Sequence, residues 1–283
     1  MMCLYYTRIA VEKQAFHILF LCNKSSLHAQ RDLLTHRLID DYRRGTMLQI
    51  KNFSKSYKSE KKAVDSLNLE VHNGDIFGFI GHNGAGKTTT IRSVAGVLDF
   101  EEGDILIGGV SIRKDPVACK KQMAYIPDNP DLYEHLTGIG YLNFIGDIYE
   151  VKRSEREALI KEYGEAFELT ANLGDTISSY SHGMKQKLAI MAALIHSPKL
   201  LILDEPFVGL DPKAAFTLKS IMAQKCQEGC AIFFSTHVLE VAEKLCNKIA
   251  IIKNGKLVSC GTTQEVKGNS SLEDVFMELI DEK

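Results

Sequence analysis

Three observations predict an α/β fold with a mostly parallel sheet. Uninterrupted apolar runs recur at residues 200–203 (LLIL), 231–234 (AIFF) and 249–252 (IAII). Stretches of helical period separate them. A further apolar run, residues 76–80, leads straight into a glycine-rich loop. Strands buried on both faces read as continuous apolar runs, and strands alternating with helices build parallel sheets.

The elements follow in chain order. The first 46 residues hold no glycine before Gly45 and show weak periodicity. They read as a disordered extension, or as sequence that is not natively translated. Arg43-Arg44 is encodable as AGG-AGG, which resembles a bacterial ribosome-binding sequence placed just ahead of Met47. The rival reading is an amphipathic N-terminal helix with a docking role. From Met47 the pattern sharpens: Leu48 and Ile50 alternate with polar neighbours, as a strand does. Residues 64–71 alternate weakly, and residues 104–112 read as a hairpin turning at Gly108-Gly109. Residues 132–173 are charged, with apolar positions three and four apart, so they read as helical.

Composition narrows the function. The chain has 283 residues, 45% of them apolar, enough for one large domain or a domain with a subdomain. Lysine and arginine number 34 against 36 acids, a net charge of −2 that argues against a nucleic-acid surface. The seven cysteines are scattered without a C-x-x-C pair, so they read as structural thiols of a reducing compartment. No run approaches the roughly 20 apolar residues of a membrane helix. The best, residues 15–22 (AFHILFLC), is too short and carries His17. The expectation is a soluble chain whose membrane work goes through another protein.

The glycine-rich loop is the most specific signal. Gly81-His82-Asn83-Gly84-Ala85-Gly86-Lys87-Thr88 fits G-x-x-x-x-G-K-[ST], with an apolar strand before it and TTTIRSVAGV after it. Glycines let backbone N–H groups turn onto phosphate oxygens, and the following helix adds its positive end. Lys87 suits the outer phosphates, and the Thr88 hydroxyl suits Mg²⁺. Thr89 joins the nucleotide-binding set. Residues 200–203 then end in Asp204-Glu205. Side chains alternate on a strand, so the two carboxylates should diverge. Asp204 suits the Mg²⁺ shell, and Glu205 suits general-base work on water.

With these residues in place the chain resembles the ATP-binding subunits of ABC transporters, from about Met47 to the C-terminus. Ser181-His182-Gly183-Met184, inside YSHGMKQKL, resembles the family signature LSGGQ, which contacts ATP held by the opposite subunit. The resemblance makes Tyr57 the aromatic that stacks on adenine, Gly209-Leu210-Asp211 the loop crossing the dimer interface, and His237 the switch histidine at the γ-phosphate. Two positions depart from the family. Asp128, in YIPDNPDLYEHLTG, stands where the family usually has a Mg²⁺-sensing glutamine, with Asn129 the other candidate. Met184 replaces the last glutamine of the signature.

The resemblance implies a P-loop NTPase core with a small antiparallel β subdomain and an inserted helical subdomain at about residues 128–179. The ATPase domain would run over residues 47–268, with a short C-terminal helix at 269–283. It also implies ATP and Mg²⁺ as cofactors, and a catalytic set of Lys87, Glu205 and His237. The partners would be a second copy or a paralogous ATPase subunit, and a separate multi-span permease. The place of work would be the cytoplasmic face of the cell membrane. YSHGMKQ and the tail SLEDVFMELI are similar to bacterial drug- or antibiotic-exporter members. The alternative is a non-transport ATPase of the same superfamily acting on the ribosome, DNA or a regulatory partner.

Overall fold

The computed structural model describes residues 45–57 and 62–281. The expectation for residues 1–46 therefore lies outside the described residues, apart from Gly45 and Thr46.

The described residues build two sheets. The first is antiparallel, in the order β2-β1-β4-β5, from β1 (Thr46–Ser56), β2 (Lys62–His72), β4 (Glu102–Ile107) and β5 (Val110–Ser111). Its hairpin turns at Gly108-Gly109, with Ile107 opposite Val110. Both glycines have positive φ (56° and 82°), which a tight two-residue hairpin demands.

The second sheet has the order β10-β9-β3-β8-β7-β6. Its strands are β3 (Ile76–Ile80), β6 (Met123–Ile126), β7 (Leu200–Asp204), β8 (Ala231–Thr236), β9 (Lys248–Lys253) and β10 (Lys256–Thr262). The pairs β9·β3, β3·β8, β8·β7 and β7·β6 are parallel, and β10 pairs antiparallel with β9. β6 and β10 had no clear mark in the sequence.

Each buried strand divides its side chains between two cores, because successive residues face opposite ways. Ile76, Ile80, Leu201, Leu203, Ile232 and Phe234 enter one apolar cluster. Phe77, Phe79, Leu200, Ile202, Ala231 and Phe233 enter the other. Both faces are covered, so no polar alternation was available in these strands. Burial of each such large side chain contributes roughly 1.5–3 kcal/mol.

The first cluster packs under α3 (Gly138–Ile148), α4 (Arg153–Ala166), α5 (His182–Leu194), α6 (Pro212–Gln227), α7 (Leu239–Leu245) and α9 (Leu272–Asp281). The second cluster packs under the antiparallel sheet and α1 (Lys87–Val94). Shorter helices are α2 (Pro116–Lys120) and α8 (Thr263–Lys267). The expected helical stretch 132–173 is two helices broken at Glu150, whose φ is +56°. Among the described residues, no helix is long and apolar enough to cross a membrane.

Register positions the site. Ile80 lies opposite Thr236, and Asp204 opposite Ser235. The carboxyl ends of β3, β7 and β8 therefore line up. The residues that follow, Gly81, Glu205 and His237, emerge together, in the place where open parallel sheets take ligands.

Candidate functional site

The loop after β3 turns through two left-handed glycines, Gly84 (φ 81°) and Gly86 (φ 109°). A Cβ on Gly81 would lie 2.6 Å from the Ile252 carbonyl oxygen, and one on Gly86 would lie 2.6 Å from that of Ala63. The loop is thus seated against β9 and β2 with no room for side chains at those two points. Within it, Ala85 N–H donates to His82 O at 3.1 Å, and His82 Nδ1 lies 2.7 Å from Asn83 O. α1 begins at Lys87, and Thr90 closes its first turn by donating to Gly86 O at 2.9 Å.

Lys87 is buried and folds back over the loop. Its Nζ donates to Gly81 O at 2.7 Å and stands 3.7 Å from Glu205 Oε1. Burial pulls its pKa below the ordinary lysine value, opposed by the Glu205 and Asp204 charges. A buried cation held by loop carbonyls at the start of a helix suits a polyphosphate.

Asp204, the last residue of β7, is fully buried. Its Oδ1 accepts from Ser235 Oγ at 2.6 Å and lies 3.4 Å from Thr88 Oγ1. Its Oδ2 is buried with no hydrogen-bond partner. Burial raises its pKa above the usual carboxylate range, with Ser235 and Thr88 opposing and the Asp128 and Glu205 charges adding to the rise. An orphaned buried carboxylate oxygen beside a threonine hydroxyl fits a hard divalent cation. Among the described residues, no group of three or more His, Cys, Asp and Glu side chains is gathered around a metal position.

Glu205 diverges from Asp204 for a reason other than strand alternation. β7 ends at Asp204, and Glu205 has a φ of +49°, in the left-handed region that non-glycine residues rarely occupy. Ser235 Oγ accepts the Glu205 N–H at 3.1 Å and holds this turn. The carboxylate then reaches His237, whose Nδ1 is 3.0 Å from Glu205 Oε2. Lys87, Thr88, Asp204, Glu205 and His237 therefore form one cluster.

Sequence reasoning missed Ser235. It bridges the two acids, donating to Asp204 and accepting from Glu205. Its mark was a hydroxyl ending an apolar run just before His237. Asp128 is exposed at the edge of this cluster, close enough for its charge to act on Asp204, and its Oδ1 accepts from Asn129 N–H at 2.9 Å. Tyr57 is 54% exposed, and its hydroxyl lies 3.2 Å from Thr89 Oγ1.

Ser181 and Gly183 sit elsewhere in the subunit. Ser181 caps α5, accepting from Met184 N–H at 3.3 Å. A Cβ on Gly183 would meet the Gly209 carbonyl oxygen at 3.0 Å, and the His182 ring packs over Gly209. The signature and the Gly209-Leu210-Asp211 loop are thus one surface. Asp211 caps α6 through Ala214 N–H and pairs with Lys187 at 2.8 Å.

Comparison with known proteins agrees with this geometry. The ABC transporter family profile matches residues 64–208. ABC transporter ATP-binding protein YhcH of Bacillus subtilis is 39% identical over 214 residues, covering 75% of this chain and 69% of that protein. Linearmycin resistance ATP-binding protein LnrL of the same organism is 35% identical, covering 78% of this chain and 70% of that protein. ABC-type transporter ATP-binding protein EcsA is 33% identical, covering 84% of this chain and 98% of that protein. A solved structure of an ATP-binding subunit of an ABC transporter superposes with a TM-score of 0.80 at 34% identity, covering 83% of this chain and 99% of that one. The fold, the site and these likenesses converge: the chain belongs to the ABC transporter ATP-binding protein family.

Proposed function

We propose that this chain hydrolyses ATP to ADP and phosphate and thereby powers a separate multi-span permease, with export as the direction of transport. The observation that carries the hydrolytic reading is the cluster at the carboxyl ends of β3, β7 and β8. There Glu205 lies between Lys87 and His237, beside the orphaned oxygen of Asp204.

The roles follow from chemistry. Gly81, His82, Asn83, Gly84, Ala85 and Gly86 cradle the phosphates with backbone N–H groups. Lys87 neutralises the outer phosphates, and Thr89 closes the cradle. Glu205 takes the proton of the attacking water, and His237 orients Glu205 and meets the γ-phosphate. Thr88, Asp204 and Asp128 hold Mg²⁺, which when bound neutralises charge on the phosphate oxygens. Tyr57 stacks on adenine.

Two subunits, copies or paralogues, close head to tail, with Ser181 and Gly183 of one meeting the nucleotide of the other. Bound ATP favours the closed pair, and hydrolysis releases it. The helical layer of α3 and α4 passes this motion to the permease at the cytoplasmic face of the membrane. Export is supported by the resemblance to LnrL, a protein named for linearmycin resistance.

The test is a pull-down of Glu205→Gln protein from its native membranes with Mg-ATP, followed by mass spectrometry. The expected partner is a multi-span membrane protein. Recovery of ribosomal or DNA-bound proteins alone would contradict transport.

A further inference from the structure

The phosphate loop fixes the phosphates but says nothing of what fixes the base. Tyr57 directly follows β1 with its ring half exposed, and its hydroxyl lies 3.2 Å from Thr89 Oγ1. An aromatic platform at such a position stacks on a base only if its backbone is held in place.

Two adjacent acids do the holding. Glu101 Oε1 is 2.6 Å from Lys55 Nζ, and Glu101 Oε2 accepts Ser56 N–H at 3.3 Å. Glu102 Oε2 is 2.9 Å from Lys62 Nζ. Lys55 lies on β1 two residues before Tyr57, which follows the strand, and Lys62 opens β2, so the acids grip both strands that flank the platform. Their own base is firm. Glu102 lies opposite Ser54 in the sheet, and Phe100 packs edge-on against buried Phe53 with ring centroids 5.2 Å apart. The Arg113 guanidinium covers Phe100 at 4.1 Å. Lys55 is only 12% exposed, and its ammonium lies 5.9 Å from the centre of the Tyr57 ring, near the outer limit of cation–π attraction. Glu101 and Glu102 are themselves largely exposed, and such ion pairs add little to global stability. Their effect falls on the local position of residues 55–57.

We infer that Glu101 and Glu102 are positioning residues for the nucleotide base, which clamp Lys55 and Lys62 and so hold Tyr57 where a purine can stack on it. The inference rests on the reading of Tyr57 as the base platform. The pair acts on affinity for nucleotides and leaves the phosphate contacts alone. Being ionic and exposed, the clamp also loosens as salt screens it.

The experiment measures binding of Mg-ATP and of inorganic triphosphate with magnesium. The proteins are wild type, Tyr57→Ala, Glu101→Gln/Glu102→Gln, and the swapped pair Lys55→Glu/Glu101→Lys. The double glutamine variant should lose about tenfold in ATP affinity, within the range of one base–aromatic stack. Its triphosphate affinity should be unchanged, and the swapped pair should recover ATP binding. Equal weakening for ATP and triphosphate would overturn the inference, because it would mark general damage to the loop. ATP affinity lost in Tyr57→Ala but kept in the double glutamine variant would overturn the clamp alone. Unchanged ATP affinity in Tyr57→Ala would overturn the platform reading beneath it.

Discussion

Asp204 carries a cost that the proposed metal-holding role explains. It is fully buried, one oxygen is unpartnered, and burial raises its folded pKa above the unfolded value. For a group shifted in that direction, the favourable contribution belongs to the protonated form. That contribution is present at acid pH and is lost as pH rises through the raised value. Ionised Asp204 is therefore a buried charge that Ser235 and Thr88 compensate only in part. Asp204→Asn keeps an acceptor for Ser235 and removes the charge. The nucleotide-free variant should melt about 2–4 °C higher than wild type, the response of a domain of this size to about 1 kcal/mol. Mg-ATP should raise its melting temperature less than it raises that of wild type. Thermal denaturation with and without Mg-ATP checks both, and a lower melting point in the nucleotide-free variant would contradict the assignment. At this scale much of the site was legible, since Lys87, Thr88, Asp204 and Glu205 fall in two local motifs. Ser235 was not, because its role depends on a strand pairing between β7 and β8 that no local pattern encodes.

Among the elements, the joint between α3 and α4 turns on a charged side chain inside the helical layer. Arg156 of α4 is buried and is held by Asp147 at 2.6 Å, by Asn143 O at 3.0 Å and by Val151 O at 3.0 Å. Its Nε lies directly against Gly146 of α3, where a Cβ would collide with it. Two effects oppose each other in Gly146→Ala. Alanine gains about 0.8–1.0 kcal/mol of helix propensity. Overpacking costs about 1–3 kcal/mol, and displacing a buried, paired arginine adds to that. The collision wins, so the variant should lose about 1–3 kcal/mol, read from the midpoint of urea unfolding. A stabilised variant would show that Arg156 moves aside freely. The sequence suggested one helical stretch here because the break at Glu150 uses a left-handed glutamate, with no glycine or proline to mark it. The four-residue β6 and the half-exposed edge strand β10 escaped for a similar reason, since neither carries a long apolar run. The central strands were easy to read because their burial on both faces left them uniformly apolar.

Under the proposed function, the molecule carries complementary halves of a reaction site on separate surfaces. Lys87, Thr88, Asp204, Glu205 and His237 meet at the carboxyl ends of the parallel strands. Ser181 and Gly183 lie at the start of α5, where the Ser181 hydroxyl accepts from Met184 N–H and Gly183 packs against the Gly209 carbonyl. Under the proposed mechanism a second subunit brings the halves together, and nucleotide binding couples to association. This arrangement was legible only through resemblance, because spacing along one chain does not say which surfaces meet between two. Under the proposed function, ATP closes the dimer and Glu205 lets it reopen. The most direct measurement is analytical ultracentrifugation of Glu205→Gln protein with and without Mg-ATP, alongside its hydrolysis rate, with Lys87→Ala as the control. Hydrolysis should fall about 10²–10⁴-fold, the range for loss of a general base. The Glu205→Gln protein should become dimeric with Mg-ATP, and Lys87→Ala should stay monomeric. Wild-type hydrolysis by Glu205→Gln, or a mass unaffected by Mg-ATP, would contradict the account.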